Sequence, residues 1–240
     1  MTDASPAPVA PGERVAVLFD IDGTLLDMRG AGRRSFAKAV EAVFGWPDDI
    51  AYVNFAGNTD LNVLQQVMAS HRHAMTERER RTFLARLPEE LERAAAGAEL
   101  VLFPGVRALL ETLSGDPRVV LGLVTGNVES CARIKLRQFD LHNHFILGAY
   151  GDEHADRGRI AQLALQRVRQ ALPPGARLRS CWLVGDTPFD IAAAARIGAA
   201  SVGVATGKFS VEELRAAGAD HVCADLSDTA AVLRRLGLRG

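Results

Sequence analysis

Short, wholly apolar runs alternate along this chain with longer stretches of helical periodicity. Residues 15–19 (VAVLF), 119–124 (VVLGLV), 181–184 (CWLV) and 200–204 (ASVGV) are unbroken apolar runs, and 145–147 is a weaker one. Apolarity without alternation, rich in β-branched residues, marks a strand buried on both faces, as in a parallel sheet. Between these runs, residues 128–139, 160–172, 191–197 and 211–217 carry apolar positions at helical spacing. Strands alternating with helices of this length predict βαβ units with right-handed crossovers and helices on both faces of the sheet.

Residues 31 to about 98 break the rhythm and hold no buried strand pattern. Segments 31–44, 60–70 and 76–96 read as helices, the last opened by a capping box of Thr76 and Glu79. The dense charges of residues 77–93 suit the solvated face of an amphipathic helix. Pro104-Gly105 marks the return to strand-and-helix alternation. The expected fold class is therefore α/β: a Rossmann-like parallel sheet core with an inserted all-helical domain. Its expected parts are a flexible tail (1–13), the core (14–30 and 99–240) and the helical insert (31–98).

Composition narrows the function classes. The chain has 240 residues and is 48% hydrophobic, enough for one sizeable core plus a smaller module. Lys+Arg number 28 and Asp+Glu 29, a net charge of -1 that offers no reason to expect nucleic acid or an anionic membrane as partner. Cys131, Cys181 and Cys223 lie far apart with no CxxC, which argues against a disulfide framework or zinc site and fits a reducing, cytoplasmic location. The Pro-rich first residues lack the basic and apolar regions of a signal peptide. No apolar stretch reaches the ~18 residues of a membrane span.

Candidate chemistry gathers at the carboxyl ends of the strands, where open α/β sheets bind ligands. Asp20-Ile21-Asp22-Gly23-Thr24 follows the first strand directly, with Gly23 free to turn the backbone sharply. Thr125-Gly126-Asn127 follows the second and leads into a helix. A hydroxyl and the N–H groups of a helix start can cradle an anion there, although the tripeptide is also a common strand-to-helix turn. Asp186 follows the third, with Pro188 suited to a first helical turn and Asp190 four residues on. Asp190 also has the plainer reading of a helix N-terminal acid. Carboxylates of Asp20, Asp22 and Asp186 brought to about 4 Å would repel by roughly 4 kcal/mol per pair at an effective dielectric of about 20. A hard divalent cation with oxygen ligands relieves this, and Mg²⁺ is the usual one beside phosphate.

In this order, DIDGT (residues 20–24), VTGN (124–127) and GDTPFD (185–190) resemble the haloacid dehalogenase superfamily of phosphatases. The likeness covers the chain from residue 15 onward. The insert resembles the family's helical cap of the first class, and GAGR (30–33), FAGNTD (55–60) and FPGV (103–106) are similar to phosphoglycolate-phosphatase-like members. The resemblance implies that Asp20 attacks phosphorus and that Asp22 protonates the leaving oxygen and then takes a proton from water. It implies that Asp20, the Asp22 carbonyl and Asp186 hold Mg²⁺, that Thr125, Gly126 and Asn127 hold phosphoryl oxygens, and that Asp190 supports them from behind. The substrate would be a small phosphorylated metabolite. One departure stands out: the family's lysine between the second and fourth motifs is missing, since no lysine lies between Lys135 and Lys208. Lys135, on the helix after Thr125, falls too early for the role. Arg157 or Arg159 is the expected substitute, Arg157 in preference, because arginine keeps the charge and adds a bidentate fork.

Arg33, Thr59 and Asp60 are the substrate-facing candidates of the insert. Arg33 would meet a substrate carboxylate or solvate its helix, and Thr59-Asp60 would face substrate or cap the helix that follows. The HxH pairs His71/His73 and His142/His144 lack a third ligand nearby, His154 lies near Arg157 in sequence, and Trp46 and Trp182 read as packing residues. Three other functions use the same scaffold. A sugar phosphomutase would return the phosphoryl group to a sugar. A 2-haloacid dehalogenase is disfavoured by the acids at 22 and 186. A non-catalytic phospho-ligand sensor has only the missing lysine in its favour. Substrate identity and oligomeric state, monomer or dimer, stay open at this level.

Overall fold

The computed structural model describes residues 9–238. Most of the expected tail, residues 1–8, lies outside that range. Its remainder is not loose: Val9 is buried in the core and Glu13 already opens the first strand.

Six parallel strands form the sheet in the order β5-β4-β1-β6-β7-β8. They are β1 (Glu13–Phe19), β4 (Val119–Val124), β5 (Leu147–Ala149), β6 (Arg177–Gly185), β7 (Ala200–Val204) and β8 (His221–Cys223). The central strand β1 puts Val15, Val17 and Phe19 on one face and Ala16 and Leu18 on the other. Both faces are covered, which is why the run shows no alternation. The first face packs against α4 (Val106–Ser114) and α5 (Glu129–Arg137) through Leu109, Leu110, Ala132 and Leu136. The second packs against α6 (Arg157–Ala171) and α7 (Pro188–Arg196) through Ala161, Ala164, Ala193 and Ala194. Strand order turns at β1, with β4 on one side and β6 on the other, so the carboxyl ends of these three strands frame the expected ligand crevice.

The weak strand expected at 145–147 sits two residues later as β5. Phe145 instead turns its ring edge-on to Phe19, 6.2 Å away, and so belongs to the core. Strand β8 was not signalled, being three residues long with a histidine at its head.

A two-stranded antiparallel pair, β2 (Leu26–Asp27) with β3 (Val101–Leu102), forms the neck through which the chain leaves the sheet and returns. Between them lie α1 (Ala31–Phe44), α2 (Asp60–Ser70) and α3 (Glu77–Ala95), the last opened by the reciprocal Thr76–Glu79 capping box. Phe36 is the centre of this helical unit, 1% exposed, edge-on to Phe55 at 5.5 Å and tilted against Phe83 at 4.8 Å. The apolar cluster around it runs on without a break into the β1 face of the sheet. Truncating Phe36 to alanine removes the ring that α1 packs against Phe83 of α3 and Phe55 of the connecting loop. Phe36→Ala should therefore lower unfolding free energy by about 3–5 kcal/mol in urea denaturation; a loss under about 1 kcal/mol would show that the unit is held otherwise.

Candidate active site

Strand β1 ends by delivering Asp20 into the crevice, pinned by its own N–H to the Val184 carbonyl at 2.9 Å. The chain then folds tightly on itself: the Ile21 carbonyl accepts from Leu25 at 2.9 Å, and Gly23 takes φ +83°. A Cβ on Gly23 or on Gly207 would overlap the Asp186 carboxylate, so both glycines leave room for that acid to enter from β6. Thr24 donates its hydroxyl to Asp186 Oδ1 at 3.3 Å.

Arg157 opens α6 and is buried beneath this group. Its Nη2 lies 2.9 Å from Asp20 Oδ1, and Nε and Nη2 donate to Asp190 Oδ1 at 2.9 and 2.5 Å. Asp190 in turn accepts from the N–H and hydroxyl of Thr187 at 3.1 and 2.7 Å, which closes the capping box of α7. One guanidinium thus bridges Asp20 to a carboxylate that is fully engaged behind it. Arg159, two residues on, is exposed and donates to Gln162. Of the two expected arginines, only Arg157 reaches the site, because the helix turns the other towards solvent.

A second cation stands where none was expected. Lys135 is buried, and its ammonium donates to Asp22 Oδ1 and Oδ2 at 2.8 and 2.6 Å and to Asn127 Oδ1 at 2.6 Å. Asn127 Nδ2 donates to Asp22 at 2.6 Å and to the Thr125 hydroxyl at 2.8 Å, leaving the Thr125 O–H to donate elsewhere. Lys135 does not stand opposite Asp20, where Arg157 does; it reaches Asp22 instead, from the part of α5 that lines the crevice. The signal was present. Val128, Cys131, Ala132 and Lys135 share the buried stripe of one helix, so a lysine sits where the period demands an apolar residue.

Burial dominates the electrostatics. It raises Asp20 to about 6 against the pull of Arg157. Burial, then the neighbouring Asp190 and Asp20 carboxylates, push Asp186 up to about 8. Burial works against the two cations, but Asp190 and Asp20 raise Arg157, and Asp22 and Asp60 raise Lys135, above their ordinary values. Carboxylate oxygens of Asp20, Asp186 and Asp190 lie within 4.8 Å of one another. Asp190 is spent on Arg157 and Thr187, whereas among the described residues Asp186 accepts one long bond, from Thr24. A hard-oxygen donor set with an undercompensated acid fits a divalent cation.

Above the crevice, a cavity of about 510 Å³ runs between the sheet edge and the insert. Asp20, Asp22, Thr125, Lys135, Arg157 and Asp186 line its floor, and Phe36, Phe55, Val63 and Lys208 belong to its walls. Arg33 lines it too, but its guanidinium is engaged. It donates to the Ile50 and Val53 carbonyls at 2.5 and 2.9 Å and stacks over Phe55. Arg33 therefore neither solvates its helix nor offers a free fork to a substrate carboxylate; it ties the loop that follows α1 back to α1. Thr59 caps α2 by accepting from the Asn62 N–H at 3.1 Å. Asp60 turns away from α2 and accepts from Val128 N–H at 2.8 Å. Outside the cavity, His71 pairs with Asp48, His73 with Glu79 and His144 with Ser114, while His154 closes a local turn with Asp156. Trp46 stacks on His71 at 4.1 Å, a packing role.

An α/β core, a helical insert, and acids at the ends of β1 and β6 beside the Thr125-Gly126-Asn127 turn after β4 describe a class of hydrolytic enzymes, and the sequence comparisons agree. The model of the haloacid dehalogenase-like hydrolase family matches residues 17–204, and the chain belongs to that family. A 5'-nucleotidase from Pseudomonas aeruginosa is 32% identical over 219 residues, covering 90% of this chain and 94% of its own. A phosphoglycolate phosphatase from Chromobacterium violaceum is 29% identical, covering 80% and 85%. A solved hydrolase from Pseudomonas syringae shares the fold with a TM-score of 0.67 at 23% identity, covering 92% of this chain and 98% of its own.

Asp60 gives the site a measurable pH signature. Burial raises its carboxyl to about 6, against the opposing pull of Lys135 and the Val128 N–H. In the unfolded chain the group ionises near its ordinary value of 3.8. The unfolded state therefore sheds this proton first, and stability falls as pH rises from about 4 to about 6. In thermal melts, wild type should lose Tm relative to Asp60→Asn across that window and run parallel above it. A constant difference across the window would contradict the assignment.

Proposed function

We propose that this enzyme is a Mg²⁺-dependent phosphatase that hydrolyses small phosphate monoesters through an aspartyl phosphate on Asp20. The observation that carries the reading is the buried Asp20 carboxylate at the end of β1 with the Arg157 guanidinium 2.9 Å away. A carboxylate so held is oriented for attack, and a nucleophile splits a very slow hydrolysis into two easier steps. Asp20 Oδ forms a bond to phosphorus as the ester P–O bond breaks, and the Asp22 carboxyl gives its proton to the departing oxygen. Water then attacks the phosphoryl group, Asp22 takes the water's proton, and Asp20 is released with inorganic phosphate. Thr125 and the N–H groups of Gly126 and Asn127 would bind phosphoryl oxygens. Arg157 offsets charge on the Asp20 side and Lys135 fixes Asp22 and Asn127 in one arrangement.

Asp20, Asp186 and the Asp22 carbonyl would hold Mg²⁺, which supplies charge neutralisation at the phosphoryl oxygens when bound. The helical insert, residues 31–98, is read as the cap that excludes water from the cavity. The core is read as residues 14–30 and 99–240, of which residues 239–240 lie outside the described range. A cytoplasmic site of action fits the three free thiols.

For the substrate, phosphoglycolate rests on the likeness of the insert and on the relative from Chromobacterium violaceum. With Arg33 engaged by carbonyls, its carboxylate would have to be read by another group. Nucleoside monophosphates draw support from the relative from Pseudomonas aeruginosa. The sensor reading loses its one argument, since Arg157 and Lys135 bring two cations to the acids.

A panel of phosphate esters, including phosphoglycolate and nucleoside 5'-monophosphates, should release free phosphate with Mg²⁺ and none in excess EDTA. Full phosphate release in EDTA would contradict the need for Mg²⁺, and halide release from a 2-haloacid in EDTA, without phosphate release from any ester, would revive a dehalogenase. Isomerisation that requires a bisphosphate activator, without phosphate release, would identify a mutase instead. Within the panel, Asp22→Asn should cut kcat/KM, which reports the first step, by about 10²–10⁴ on alkyl phosphates. The loss in kcat/KM should be far smaller on p-nitrophenyl phosphate, whose leaving group needs no proton, while kcat falls on both because breakdown of the aspartyl phosphate still needs the base. Equal losses in kcat/KM on both would remove Asp22 from the role of proton donor to the leaving group. Asp20→Asn should abolish turnover of every ester and keep the wild-type circular dichroism spectrum; residual turnover near wild type would exclude it as nucleophile.

A further inference from the structure

The segment Asn58-Thr59-Asp60, at the head of α2, makes a set of contacts that the chemistry above does not use. The Asp60 N–H donates to the Gly126 carbonyl at 2.8 Å, and Asp60 Oδ2 accepts from the Val128 N–H at 2.8 Å. These two bonds flank Asn127 and fasten the C-terminal half of the Thr125-Gly126-Asn127 turn. The Asn58 carbonyl comes so close to Gly126 that any Cβ there would overlap it. One residue before Asp60, the Thr59 hydroxyl donates to the Ala155 carbonyl at 2.9 Å, two residues ahead of Arg157. The insert therefore grips both elements that face the phosphoryl group: the turn after β4 and the segment that delivers Arg157.

The need for this grip lies in α5. A helix start leaves N–H groups without intrahelical partners, and a side-chain acceptor normally serves them. The N-cap of α5 is Val128, whose side chain accepts nothing. Its first donors are served from elsewhere, Val128 N–H by Asp60 and Glu129 N–H by Asp152 at 3.2 Å. Lifting the insert removes the acceptor from Val128 and the donor from Gly126 together. The phosphate turn is complete only when the insert is seated.

We propose that Asp60 is a positioning residue, a latch by which seating of the helical insert and ordering of the Thr125–Asn127 turn become one event. It acts as an acceptor for the backbone, not as a charge for the substrate. The proposal rests on the reading of that turn as the phosphoryl cradle of a phosphatase.

The test compares wild type, Asp60→Asn, Asp60→Ala and Thr125→Ala with p-nitrophenyl phosphate and Mg²⁺, with inorganic phosphate as competitive inhibitor. Asp60→Asn keeps a carboxamide oxygen at the same reach and should stay within about threefold of wild type in KM and in the inhibition constant for phosphate. Asp60→Ala should raise both by roughly tenfold or more, as loss of an acceptor at a buried N–H demands. A merely structural role would lower Tm and leave both constants unmoved at 25 °C, and that result overturns the latch. Equal defects in the Asn and Ala variants also overturn it, since charge would then be the cause. Absence of turnover in wild type, or an unaffected Thr125→Ala, overturns the phosphatase reading and the latch with it. Turnover that needs Thr125 but ignores Asp60 overturns the latch alone. If Asp60→Ala does not fold, hydrogen exchange of wild type decides. Inorganic phosphate with Mg²⁺ should protect residues 58–60 and 125–128 together, and protection of one segment without the other contradicts the proposal.

Discussion

Everything in this site follows from one constraint: acids forced together at a sheet edge and removed from water must each find a positive partner. Three strands end side by side, and two of them bring a carboxylate to the crevice that is buried. Arg157 answers Asp20 and Asp190 with a single buried fork, and Lys135 answers Asp22 from the opposite side. Asp186 is left with a hydroxyl at 3.3 Å and a pKa pushed to about 8. Such a site is costly to the fold, and acids so strongly perturbed by burial and by one another are the mark of a functional site.

The helical insert shares this constraint. It contributes Asp60 to the field of Lys135 and supplies the acceptor that α5 lacks. Its apolar centre at Phe36 continues into the β1 face of the sheet, so packing and hydrogen bonding both tie it to the crevice. Only two chain crossings, the short β2–β3 pair, join the two parts covalently. Few covalent links and several non-covalent ones are what a unit needs if it is to seat and lift about a neck.

How much of this could be read from sequence depended on how local the cause was. The four long strands were legible because burial on both faces writes an unbroken apolar run. β8 and the β2–β3 pair were not, being two or three residues long and partly polar. Asp20, Asp22 and Asp186 were legible because each follows directly on a buried strand. The pairing of Lys135 with Asp22 was not legible, since it depends on how α5 packs against the end of β1; only the lysine's place on the buried stripe of that helix hints at it. The sequence left Arg33 between a substrate carboxylate and the solvated face of its helix, because its actual partners, the Ile50 and Val53 carbonyls, belong to a loop that no periodic pattern announces. Arg157 and Arg159 were separable only once the first turn of α6 had set which one faces inward.

The central claim is that the buried Asp20 carboxylate, aimed by Arg157, takes up the phosphoryl group. Trapping it is the most direct measurement: the enzyme is quenched during steady turnover of its best ester, reduced with borohydride, digested and sequenced by mass spectrometry. The account predicts homoserine at position 20, the reduction product of an acyl phosphate, and none in enzyme quenched without substrate. Efficient turnover with Asp20 unmodified, or the modification found on another residue, would contradict it.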